Sequence, residues 1–184
     1  MTITSPHDAV TAGLGMVPED RGLQGLVLKL PVQENIVLPT LDGHSRLGWV
    51  IRGQVWQTAS KYVDWLSIRT PHLRQKAMFL SGGNQQKVVL AKWLASQPKV
   101  LILDEPTRGI DVGAKAEVHA LMSQLAQSGM GIIMISSELP EVLGMSDRIL
   151  VMHEGSVAAI LDRAEATQEL IMAYASGQKK SVEE

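Results

Sequence analysis

Cysteine is absent from the 184 residues, so disulfides and thiolate metal sites are excluded, and a reducing cytoplasm is the compartment this implies. No apolar run approaches a membrane span; stretches such as 100–103 and 131–135 are far too short to cross a bilayer. Any membrane association is therefore expected to come through a protein partner. The opening Met1-Thr2-Ile3-Thr4-Ser5-Pro6 has neither a basic segment nor an apolar stretch, which argues against a secretory signal. A basic excess is also missing. Seventeen Lys and Arg face nineteen Asp and Glu, a net charge of -2, so nothing is available to neutralise phosphates along a duplex and nucleic acid is not an expected partner. The histidines at 7, 44, 72, 119 and 153 show no metal-ligand spacing.

What the sequence does have is a globular balance, 45% hydrophobic and 20% charged, with length enough for one domain and its core. A short helix near 8–12 leads into a strand at 14–17, stopped by Pro18. Apolar residues Val55, Ala59, Tyr62, Val63 and Leu66 recur at helical spacing and predict an amphipathic helix between 53 and 67. Most of the few aromatics, Trp49, Trp56, Tyr62, Trp65 and Phe79, fall in this middle section and are expected to pack a small helical subdomain. Beyond Leu80 strands and helices alternate: a helix at 84–95, a strand at 100–103, a helix ending near Gly129, then strands at 132–135, 149–152 and 157–160. The first of these strands lacks polar alternation, as expected of a parallel strand covered on both faces, and the next two read as buried. A last helix at 168–175 runs into a polar tail, 178–184, expected to be disordered. The pattern predicts an α/β fold with a mostly parallel sheet and a helical subdomain.

Chemistry concentrates in short segments. In Leu80-Ser81-Gly82-Gly83-Asn84-Gln85-Gln86-Lys87 two glycines separate a serine from a helix start. Glycine admits an anion close to backbone N–H groups, and a helix N-terminus adds uncapped donors. An isolated Ser-Gly-Gly reads as an ordinary helix cap, with Ser81 as N-cap. Next, Val100-Leu101-Ile102-Leu103-Asp104-Glu105-Pro106 is an apolar strand ending in two carboxylates. Burying them would cost desolvation, but ligands of open α/β sheets bind at that end of the strands. In Thr107-Arg108-Gly109-Ile110-Asp111 the last residue is placed to cap a helix beginning near Gly113.

Together these segments resemble the ATP-binding-cassette (ABC) nucleotide-binding domains. The octet from Leu80 resembles their signature motif, in the Gly-Gly-Asn-Gln-Gln form of sugar importers. That implies phosphate contacts from Ser81, Gly82, Gly83 and Asn84. Asp104 resembles the Walker B aspartate, which implies an oxygen ligand for Mg²⁺, and Glu105 the carboxylate that polarises the attacking water. The segment ending at Asp111 resembles the D-loop between facing cassettes. Two positions depart from the family pattern. Ser137, after the strand at 132–135, stands where active members carry histidine. Glu19, in Val17-Pro18-Glu19-Asp20-Arg21, stands at the glutamine of the Q-loop, and an ionised acid donates no hydrogen bond. Both departures match the second cassette of the ATPase subunits of ribose- and galactose-type importers, and this resemblance spans about residues 5 to 175.

The resemblance implies the cofactors ATP and Mg²⁺. It implies permease transmembrane subunits and a second cassette as partners, an extracytoplasmic sugar-binding protein indirectly, and a place on the inner face of the bacterial cell membrane. The expected division is 1–31 (Q-loop strand), 32–79 (helical subdomain), 80–163 (signature, Walker B, D-loop and switch) and 164–184 (last helix and tail). No Gly-x-x-x-x-Gly-Lys-Ser/Thr occurs anywhere in the sequence. The expectation is an incomplete P-loop NTPase fold without its phosphate-loop strand, two open sheet edges, and poor folding alone unless a separately encoded front half completes it. ATP hydrolysis belongs to the family, while hydrolysis by this chain alone is not expected. A non-catalytic module contributing only the signature face is the alternative reading, and a truncated remnant a further one.

Overall fold

Residues 100–103 were expected at the heart of a parallel sheet, and in the computed structural model, which describes residues 2–179, they form its central strand. This strand, β4 (Val100–Asp104), lies between β1 (Leu14–Val17) and β5 (Gly131–Ile135), parallel to both. The chain divides into two units, Met1–Ile135 and Ser136–Glu184.

In the first unit the inward row Val17, Leu101 and Leu103 is fully buried, and β1 is backed by α4 (Gly82–Leu94). The opposite face is different. Met16, Ile102 and Ile133 stand side by side in register, and Met16 is 45% and Ile133 52% exposed. Coverage of β4 on both faces and burial of the strand at 132–135 are therefore corrected. β5 alternates between exposed and half-buried residues, with Ile135 at 49%. The physical reason is that an apolar strand reports the environment its composition suits, and among the described residues β5 has β4 as its only strand partner.

The helical segment is built around Asn35, a fully buried residue of α2 (Val32–Val37). Its side-chain oxygen accepts from the Val27 N–H at 2.8 Å. Its amide nitrogen donates to the carbonyls of Val27, Leu30 and Pro31 at 3.1–3.2 Å. α2 packs on α3 (Arg52–Trp65) and on α4. Val55, Ala59 and Tyr62 point inward from α3, as their spacing predicts, and the Tyr62 hydroxyl donates to the Leu94 carbonyl at 2.9 Å. The aromatic packing expected here is corrected, because only Tyr62 is buried. Trp49, Trp56, Trp65 and Phe79 are all exposed. The inward stripe of α3 is filled by Val55, Ala59 and Tyr62, while Trp49 stands on the small hairpin of β2 (Ser45–Arg46) and β3 (Trp49–Val50).

In the second unit β6 (Arg148–His153) pairs antiparallel with β7 (Ser156–Asp162). Ile149, Val151 and Leu161 pack with Ile171 and Tyr174 of α7 (Gln168–Ala175). Burial of the strand at 149–152 is corrected too: Leu150 and Met152 are exposed, giving the one-sided alternation of an antiparallel pair. α6 (Leu139–Met145) precedes this pair. The tail expected to be disordered lies, from residue 180 onward, outside the described residues.

Candidate functional site

α4 begins at Gly82 because Ser81 caps it. The Ser81 side-chain oxygen accepts from the Asn84 backbone N–H at 3.4 Å and from the Asn84 side-chain amide at 2.9 Å. Asn84 is itself held, its side-chain oxygen accepting from the Arg69 N–H at 2.8 Å. Neither bond uses the hydroxyl's own proton, and Ser81 is exposed, so its O–H is left able to donate to a group outside the chain. The Gly82 and Gly83 amides lie in the first turn, where no helical carbonyl precedes them. Gly83 is required by packing: a Cβ there would stand 2.8 Å from Cβ of Ala114. Lys87, at the end of the octet, forms an ion pair with Glu117 at 2.5 Å, linking α4 to α5 (Val112–Gln127). That bond, with the charge of Lys87, holds the Glu117 carboxyl below the usual carboxylate range.

At the far end of β4, Asp104 is half-buried and Glu105 takes a left-handed backbone, φ 45°. The Glu105 N–H donates to the Ile135 carbonyl at 2.9 Å, and the Glu105 carbonyl accepts from the Arg108 N–H at 3.0 Å. The chain thus turns sharply out of the sheet directly after the two carboxylates. Asp111 ends this turn as the cap of α5, accepting from the Ala114 N–H at 2.9 Å.

The Pro18–Arg21 stretch meets this turn. Glu19 forms an ion pair with Arg108. The Arg21 guanidinium donates to the carbonyls of Arg108 at 2.8 Å and Gly109 at 3.2 Å. Asp20 caps the single wide turn Arg21–Gly25, accepting from Gly22 and Leu23, and Lys92 of α4 donates to the Gly25 carbonyl at 2.7 Å. Burial pushes the Lys92 ammonium below its ordinary range. Around these groups lies a cleft of about 370 Å³ lined by Glu19, Asp20, Arg21, Gly22, Gln85, Arg108 and Gly109.

Of the residues singled out from sequence, Glu19 alone lines that cleft. Ser81, Gly82, Gly83 and Asn84 form the start of α4, Asp104 and Glu105 the tip of β4, and Asp111 the start of α5. Ser137 falls in the second unit, where the neighbouring Ser136 hydroxyl donates to Glu141. Arg21, Arg108 and Asn35 were not singled out. Arg21 and Arg108 each sit inside a motif, so the signal was present; Asn35 sits in an ordinary helical stretch and left none.

A phosphate fits the start of α4, where an exposed hydroxyl proton and first-turn amides coincide. A magnesium ion keeps most of its waters and takes one or two carboxylates with phosphate oxygens, which suits Asp104 as a single ligand. Among the described residues no cluster of three acidic, histidine or cysteine side chains would hold a metal unaided.

The family model described as ABC transporter matches residues 2–108. The chain is 53% identical over 176 residues to the ribose import ATP-binding protein RbsA of Jannaschia sp. (strain CCS1), covering 96% of this chain and 34% of that protein. It is 54% identical over 180 residues to ribose import ATP-binding protein RbsA 2 of Streptomyces avermitilis, covering 96% and 35%. The chain thus spans about a third of the length of the curated relatives it matches. Among solved structures, a nucleotide-free ATP-binding cassette from an ABC transporter aligns with a TM-score of 0.72 at 22% identity, over 94% of this chain and 68% of that one. A dimeric post-hydrolysis state of a cassette bound to ADP and phosphate gives 0.67 at 22% identity, over 82% and 62%. At such identity these structures speak to the fold, an α/β ABC-type cassette.

Proposed function

The chain belongs to the ABC transporter family, and from that premise we propose that it is part of the ATP-binding subunit of a carbohydrate importer, contributing the signature face to ATP held by another cassette. The observation that carries this reading is the start of α4, where Ser81 is fixed by Asn84 with its own proton uncommitted and exposed. The sequence contains no Gly-x-x-x-x-Gly-Lys-Ser/Thr to cradle phosphates itself.

In this reading Ser81, Gly82 and Gly83 donate to the terminal phosphate of a nucleotide seated on the partner cassette, and Asn84 sets the direction of the Ser81 hydroxyl. Asp104 offers its carboxylate to Mg²⁺, which when bound neutralises phosphate charge. Glu105 is the carboxylate for orienting and deprotonating water, but it faces a site without a cradle, so the chain does not hydrolyse ATP alone. The names of the relatives favour ribose or a similar sugar as cargo. The remaining partners are permease transmembrane subunits, reached through 32–79, and an extracytoplasmic sugar-binding protein met only through the permease. A second cassette supplies the phosphate loop. The protein then sits peripherally on the inner face of the membrane, and no described helix is long and apolar enough to cross one. The division into 1–31, 32–79, 80–163 and 164–184 assigns these roles along the chain.

Calorimetric titration with ATP and Mg²⁺ tests the reading. The chain alone gives no binding isotherm, whereas a mixture with an intact cassette binds ATP more tightly than that cassette alone. Saturable binding by the isolated chain would instead restore an autonomous nucleotide site.

A further inference from the structure

Arg21 is anchored from both directions. Its backbone opens the turn that Asp20 caps, and the far end of that turn is held by Lys92 through the Gly25 carbonyl. From this base the guanidinium reaches across about ninety residues of sequence to two successive carbonyls, Arg108 and Gly109. Two parallel donors on adjacent acceptors are what a planar fork supplies and a single ammonium does not. Gly109 has φ 66°, so the direction of its carbonyl depends on a backbone state that is easily lost without an external hold. The same guanidinium lies against the signature: a Cβ on Gly82 would stand 2.7 Å from Nη2 of Arg21 and 3.3 Å from the Gly109 carbonyl oxygen. Three segments distant in sequence therefore meet at one side chain.

We infer that Arg21 is a positioning residue that locks the 107–111 turn and the Gly82 end of α4 to the Pro18–Arg21 segment, so that the three move together. The Glu19–Arg108 ion pair spans the same gap, but both side chains are largely exposed, at 45% and 65%, where such pairs contribute little. Arg21 is half-buried and donates to backbone. Its Nε is buried without a partner, a cost to stability that argues for a role in placement over one in stability alone. The consequence for nucleotide rests on the composite-site reading above; the mechanical link does not.

The test uses the full chain and two separate readouts. Amide hydrogen exchange is followed in peptides covering 105–112, with peptides from β6 and β7 as internal reference. Arg21→Gln accelerates exchange at the Arg108 amide about tenfold while the reference peptides and the melting midpoint hold. Arg21→Lys recovers less than half of the lost protection, and Glu19→Gln changes it less than about twofold. Gly82→Ala, which displaces the guanidinium without removing it, reproduces the Arg21→Gln effect, and the double variant is no worse than either single. Unchanged exchange in Arg21→Gln, acceleration spread evenly over the chain, or additive effects of Gly82→Ala and Arg21→Gln would overturn the inference. In the second readout, ATP retention by an intact cassette mixed with the chain falls with Arg21→Gln. If wild type gives no retention at all, the composite-site reading fails, while the exchange result still decides the role of Arg21.

Discussion

Asn35 makes four hydrogen bonds to backbone from a fully buried position, and those bonds hold the 27–31 loop against α2. Asn35→Leu leaves the Val27 N–H without its acceptor, while the carbonyls of Val27, Leu30 and Pro31 keep their backbone donors, so it is expected to destabilise the first unit by about 2 kcal/mol in denaturant titration. Tyr62→Phe removes only the bond to the Leu94 carbonyl, and about 1 kcal/mol is expected. The Lys87–Glu117 pair gives a pH signature. Bonding to Lys87 depresses the folded carboxyl, so its contribution is full above the ordinary carboxylate range of the unfolded chain and is lost as pH falls through the lower folded value. Glu117 is half-exposed and water screens the pair. The stability difference between wild type and Glu117→Gln is therefore small at pH 7, shrinks in high salt, and disappears in acid. A difference that grew below pH 4 would contradict this.

At the scale of elements, the helices and strands that carry the site were legible where pattern and punctuation agreed. The apolar spacing of α3 placed Val55, Ala59 and Tyr62 inward, and Asp111 caps α5 as expected, whereas α4 starts at Gly82 behind its Ser81 cap, two residues before the expected start at 84. Strand environment was less legible. Residues 131–135 and 148–153 are apolar enough for a doubly covered sheet, but composition does not state whether a neighbour is present. The tryptophans misled for a related reason, since mass and hydrophobicity suggest burial, whereas Trp49 sits on a two-residue strand with no face to fill. The two segments bearing Glu19 with Arg21, and Arg108, were visible as motifs, yet the side-chain-to-carbonyl bonds between them depend on three-dimensional approach. Asp111→Ala is expected to remove the cap of α5 and cost about 1 kcal/mol, read in the same titrations.

For the molecule as a whole, Met16 and Ile133 are exposed on either side of half-buried Ile102, beside the β5 edge. An apolar strand edge and face invite pairing with another chain. Concentration-dependent association in sedimentation velocity is expected, reduced by Ile133→Lys, which places a charge on that row without touching the buried one. An equally associated Ile133→Lys chain would show that the row is not the contact.

If the start of α4 meets ATP held by another cassette, as proposed, an ATP chase reads that contact. Labelled ATP is loaded on an intact cassette, excess unlabelled nucleotide is added, and the release rate is followed with wild-type chain, with Ser81→Arg and with no chain. Release is expected to be slower with the wild-type chain and to proceed at the no-chain rate with Ser81→Arg, because the arginine fills the space the phosphate would occupy. Equal slowing by both chains would contradict it, locating any effect outside Ser81 and the helix it begins.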